Sequence, residues 1–199
     1  MAAYSHRTAG PLPDAAALHD AALAYLARYA ATEAGLRRVL ERRVDRWARQ
    51  AAGDAETIAC QVALARAMVR DVVARLVAAG AVNDVAYAEA RARSLVRAGR
   101  SHRAAAAHLA AKGVDAATAQ AALPGDDTSE LAAALVLARK RRIGPFRLGS
   151  VPDEAGRRRE LGVLARAGFP QDVARQALAM DPDQAETLVN RLRRGSGGL

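Results

Sequence analysis

The chain has 199 residues, 51% of them hydrophobic, with a formal net charge of +9 and a pI near 10.8. That length suits one large domain or a few small helical modules, and the alanine share of the apolar fraction favours closely packed helices that each bury little area. No run approaches the ~18 apolar residues of a membrane span, no apolar stretch near the start reads as a signal peptide, and the lone Cys60 excludes a disulfide framework, so a reducing cytoplasm is the expected compartment.

Residues 1–13 read as a disordered leader ending in Gly10, Pro11, Leu12 and Pro13. Asp14 can cap a helix running to about residue 29. Thr32 and Glu33 start a second helix, whose Leu36, Val39, Leu40, Val44 and Trp47 fall on one apolar stripe. Gly53 breaks the pattern and Asp54 caps a long helix over 55–79, with Ile58, Val62, Ala65, Val69, Val72, Val73 and Leu76 on its buried face. Cys60 lies in that run and is expected to be buried. Gly80 stops the helix, and Asn83 and Asp84 open another to about residue 98. Ser101 caps a helix through 111, Gly113 ends it, and Asp115 caps a short helix to Leu123. Pro124, Gly125, Asp126 and Asp127 read as a linker and cap. Helices are then expected over 129–142, 154–167 and 170–180, with a loop over 143–153 and a further short helix from Pro182. No segment alternates with period two.

An internal repeat organises these helices. Residues 108–123 align without a gap on residues 163–178. Leu109 and Leu164 are apolar anchors, Gly113 and Gly168 are left-handed stops, and Val114 and Phe169 follow the stops. Asp115 and Pro170 then begin the next helix, one as a cap and one with a pre-set φ. Leu76, Gly80, Val82 and Asp84 give a looser third copy. The reading is all-α, with repeats at 14–82, 83–125 and 126–192 and a flexible tail over 193–199.

The stretch from Gly80 to Glu89, followed by Arg97, Gly99, Leu109, Lys112, Gly113 and Val114, resembles the RecX family, the regulatory proteins of the RecA recombinase. The family pattern of a Gly, an Asp-containing cap, an aromatic residue, an Arg-x-Gly and a Leu-x-x-Lys-Gly helix end is met in order by Gly80, Asp84, Tyr87, Arg97, Gly99, Leu109, Lys112 and Gly113. Arg166, Ala167, Gly168 and Phe169 resemble the signature of the third unit, and residues 24–28 and 36–40 that of the first. The likeness spans about residues 18–180. The chain departs from the pattern at Ser101, where the family often has Gly, and in its Gly/Pro loop between Arg142 and Glu154. The resemblance implies an elongated, slightly curved array of three tandem three-helix repeats. It implies binding in the groove of the RecA–single-stranded DNA filament, with inhibition of ATP hydrolysis, strand exchange and coprotease activity. It also implies a role in recombination, repair and the SOS response, by a protein that is no enzyme and needs no cofactor; nothing in the sequence suggests an obligate oligomer, so a monomer is expected.

The residues themselves support polyanion binding. Nearly all cations are arginine, whose planar fork suits phosphates and carboxylates; only Lys112 and Lys140 are lysine. Arg91, Arg93, Arg97, Arg100, Arg103 and Lys112 occur with no acid between residues 90 and 114. Arg139, Lys140, Arg141, Arg142 and Arg147 form a second acid-free run, and Arg157, Arg158 and Arg159 a third between Glu154 and Glu160. These eleven residues of the first two runs are the candidate filament or DNA contacts. Arg37, Arg38, Arg42, Arg43 and Arg46 read instead as a solvated face, because Glu33, Glu41 and Asp45 can pair within the helix. Catalysis has little support: His102 and His108 lack the spacing of a helical metal pair, and no phosphate-binding Gly-rich loop occurs. Two rival readings stay open. One is a helix-turn-helix reader of duplex DNA, for which the short helices offer only Thr118, Gln120, Gln171, Arg175 and Gln176. The other is a repeat scaffold whose basicity reflects genome composition.

Overall fold

The computed structural model describes residues 10–125, 127–150 and 152–194. Among these residues there are ten α-helices, one 3-10 turn and no strand. The helices are α1 (Ala15–Leu26), α2 (Glu33–Ala48), α3 (Ala55–Ala78), α4 (Asp84–Arg97), α5 (His102–Lys112), α6 (Ala116–Ala121), α7 (Asp127–Arg141), α8 (Glu154–Arg166), α9 (Gln171–Ala179) and α10 (Pro182–Arg194), with the 3-10 turn at Gly144–Phe146. The chain divides between Tyr87 and Ala88 into two compact units.

In the first unit α3 is the spine, because α1 and α2 both pack on it. The core joins Leu18 and Ala22 of α1, Leu36, Leu40 and Val44 of α2, and Ala65, Val69, Val72, Val73 and Leu76 of α3. Asp14, Thr32 and Asp54 each accept a backbone N–H three residues on, which satisfies donors left over at the helix starts. The α4 cap is subtler than its sequence implies. Asn83 Oδ1 accepts from Ala86 N at 2.9 Å, so Asn83 caps α4 itself. Asp84 instead accepts from Glu33 N at 2.8 Å and closes the first turn of α2. Residues 10–13 are tied down: Trp47 Nε1 donates to the Gly10 carbonyl at 2.9 Å, and Leu12 packs on the core. The rest of the expected leader lies outside the described residues, as do Asp126 and most of the expected tail. Cys60 is exposed, contrary to the expectation of a buried thiol, because the α3 face that meets the core begins at Val62 and Ala65.

In the second unit α7 is the central element. Leu131, Ala132, Ala133, Ala134, Leu135, Val136 and Ala138 are all buried, the signature of a helix surrounded on every side. Val96 of α4, Phe169 of the turn after α8, and Leu164, Val173, Ala174, Ala177, Ala185 and Val189 of α8, α9 and α10 share its core. The expected short helix from Pro182 is a full 13 residues. Asp181 accepts from Asp183 N and Gln184 N to start it, and Ala185 and Val189 anchor it in the core.

The Gly stops behave as the repeat implies. Gly113 and Gly168 have φ of 91° and 95°. In each case the following residue donates back over the stop: Val114 N to Leu109 O at 3.1 Å, and Phe169 N to Leu164 O at 3.2 Å. Ala81 N to Leu76 O and Arg100 N to Leu95 O repeat the arrangement at Gly80 and Gly99. Gly99 has a second constraint. A Cβ there would lie 2.9 Å from Val136 Cγ1 and 3.1 Å from the Leu137 backbone N, so the end of α4 rests directly on α7.

Candidate nucleic-acid interface

All eleven candidate contact residues belong to the second unit. Three helix C-termini meet there, those of α4, α7 and α8, and two side chains stitch them. Lys140 Nζ donates to the Ala98 carbonyl at 2.7 Å, and Ser101 Oγ donates to the Ala167 carbonyl at 2.8 Å. Glu130, on the first turn of α7, accepts from His102 N at 2.8 Å and lies 3.3 Å from the His102 ring nitrogen. Burial holds its carboxyl above the usual glutamate range.

Between these termini lies a cleft of about 570 Å³, lined by Ala98, Gly99 and Arg100, by Leu137, Lys140 and Arg141, and by Val163, Arg166 and Ala167. No carboxylate lines it. Each helix C-terminus contributes about −0.5 of a charge, so three offset about 1.5 of the four cations and leave the cleft clearly positive. Arg103 lies beside it, since a Cβ at Gly168 would be 3.0 Å from Arg103 Nε.

A second cationic group adjoins through Arg100. Arg91 Nε donates to His108 Nε2 at 3.2 Å, which requires a neutral acceptor nitrogen on the imidazole. Burial first, then the charges of Arg91, Lys112 and Arg100, hold His108 below the usual histidine value. Arg100 therefore belongs both to this cluster on α4 and α5 and to the cleft. The two form one positive track.

The structure separates the remaining candidates. Arg97, Arg141 and Arg142 are exposed; Arg142 has φ of 55°, the one positive value at a non-glycine among the described residues. Arg93 is exposed and pairs loosely with Glu89 at 3.8 Å, an acid just upstream of the acid-free stretch. Arg139 and Arg147 are engaged within the fold. Arg139 Nη1 meets Glu186 Oε1 at 2.9 Å while its Nη2 is buried without a hydrogen-bond partner. Arg147 grips Glu160 with two bonds of 3.1 and 2.6 Å. In the first unit Arg37 pairs with Glu33 along α2, but Asp45 pairs across to Arg66 of α3 at 2.9 Å. Arg166 and His108 were not among the sequence candidates. Arg166 had a signal, a basic last turn before a Gly stop as at Lys112; the Arg91–His108 contact spans 17 residues and had none.

Among the described residues no group of histidine, cysteine and carboxylate side chains could hold a metal ion, and no helix is long and apolar enough to cross a membrane.

A family model for the second three-helix domain of RecX matches residues 83–123, which include α4, α5 and α6. The Regulatory protein RecX of Myxococcus xanthus (strain DK1622) is 43% identical over 167 residues, covering 83% of this chain and 86% of that protein. The Regulatory protein RecX of Agrobacterium fabrum (strain C58) is 41% identical over 110 residues, 55% of this chain and 58% of that protein. That of Amycolatopsis mediterranei (strain U-32) is 45% identical over 98 residues, 48% and 54% of the two chains. No solved structure matches.

Proposed function

Because the chain belongs to the RecX family, we propose that it regulates RecA by binding the RecA–single-stranded DNA filament and slowing its ATP hydrolysis, strand exchange and coprotease activity. The observation that carries this reading is the carboxylate-free cleft between α4, α7 and α8, continuous through Arg100 with the Arg91, His108 and Lys112 cluster. A track of cations suits a phosphodiester backbone: it displaces counterions and reads no sequence. Lys140 is held by its bond to the Ala98 carbonyl, so part of the cost of ordering that long side chain is met before a strand arrives. Arg139 and Arg147 support the fold that presents the track. The proposed setting is the cytoplasm, and the protein acts as a monomer without a cofactor, in recombination, repair and the SOS response.

The test is single-stranded-DNA-dependent ATP hydrolysis by the cognate RecA, titrated with this protein at fixed salt. Inhibition well below one protein per RecA subunit is expected. Absence of inhibition at excess, with DNA binding intact, would reduce the protein to a basic helical DNA binder.

A further inference from the structure

A second concavity lies on the other side of α8, away from the cationic track in composition as well as in residues. It has a volume of about 440 Å³, within the range of sites that hold one or two side chains or a small molecule. Its floor is Pro152, Leu161, Leu178 and Ala179. Its rim is charged, but most of that charge is already neutralised. Arg147 is bound to Glu160, and Arg158 to Glu154 one turn away on α8. Four lining arginines against two glutamates leave two surplus positive charges, at Arg157 and Arg175. Arg157 is steadied by donation to the Pro152 carbonyl at 3.0 Å, and Arg175 is exposed on α9.

We propose that this groove receives an acidic peptide segment of a partner protein, with one large apolar side chain seated on the Leu161–Leu178 floor and flanking carboxylates on Arg157 and Arg175. A nucleic-acid backbone has no use for an apolar floor, and bases stack on aromatic faces, which this groove lacks. A second copy of a chain of net charge +9 would bring like charge to the rim. The inference rests on the reading that the chain acts on a protein partner, but its test does not use RecA.

The experiment is fluorescence anisotropy with a short labelled peptide of Asp and Glu around one central Phe, its Phe→Ala counterpart, and a labelled thymidine oligonucleotide. The Phe peptide should bind about tenfold tighter than the Ala peptide. Arg175→Glu should weaken it about tenfold. Ala179→Trp, which fills the groove from an exposed position, should abolish the preference for Phe and leave oligonucleotide binding unchanged. Equal binding of the two peptides overturns the proposal. So does loss of oligonucleotide binding in Ala179→Trp, which would assign the groove to DNA, or a fall in sedimenting mass in that variant, which would assign it to self-association. Peptide binding without inhibition of RecA would sink the functional reading and leave the groove intact; the reverse result would do the opposite.

Discussion

Replacing Arg141 and Arg166 together by alanine removes two of the four cations from the cleft while leaving Lys140 on the Ala98 carbonyl and the helix ends joined. Both side chains are exposed, so the fold should lose little. The effect belongs in the salt dependence of binding. For a single strand, each neutralised phosphate contributes about 0.7 to the slope of log K against log salt, so two lost contacts should flatten that slope by about 1.4. Over a rise from about 50 to 200 mM salt, the wild-type protein should then lose roughly sevenfold more affinity than the variant does. The assay is anisotropy of a labelled thymidine oligonucleotide across a salt series, with far-ultraviolet circular dichroism to check helix content. Arg42→Ala with Arg43→Ala, on the exposed face of α2, is the control and should leave the slope nearly unchanged. If the cleft variant keeps the wild-type slope, or the control flattens it equally, the cleft is not where the backbone lies.

Three further outcomes test the structure. Gly99→Ala places a Cβ in a left-handed backbone and against Val136 and the Leu137 amide, and should cost about 2–4 kcal/mol in urea unfolding. A loss under about 1 kcal/mol would mean that the end of α4 does not rest on α7 as described. Glu160→Gln leaves the half-buried Arg147 guanidinium poorly matched and also weakens the Glu160 contact to Gly144 N; a loss of about 1–3 kcal/mol is expected in the same assay. His108 should titrate below the usual histidine value in the free protein, by ¹H–¹³C NMR, and its pKa should rise when an oligonucleotide brings phosphates to Arg91, Arg100 and Lys112. Because the folded value is lowered, the group's contribution to stability is present above the unfolded value and is lost as pH falls from about 6.5 through the folded pKa, so His108→Gln should flatten stability over that window. An unmoved His108 titration in the complex would detach this cluster from the DNA track.

Local chemistry was the legible part. Ser101, Asp115 and the Gly stops at 113 and 168 act through residues three to five positions away, so sequence alone locates them. The helices on α3 were equally readable, because one side of each faces one core. What lay beyond reach were partners distant in the chain. Arg139 and Arg147 looked like their neighbours Lys140 and Arg141 until Glu186 and Glu160 were brought beside them. Asp84 looked like the cap of its own helix, yet it closes α2, 51 residues earlier. The length of α10 depended on Ala185 and Val189 finding α7, which a charged and short apolar pattern did not announce.

The burial of α7 on every side has a consequence for how the second unit comes apart. Val96 and Gly99, near the end of α4, meet the same helix that carries α9 and α10, and Lys140, Ser101 and Glu130 each bond between the segment around α4 and α5 and that of α7 and α8. Val96 in the shared core and the three side-chain bonds tie the α4–α5 segment to the rest, while α9 and α10 supply most of the cover of α7. Amide protons from Leu131 to Ala138 should therefore exchange with deuterium only when α9 and α10 come away from α7 together, at one shared free energy.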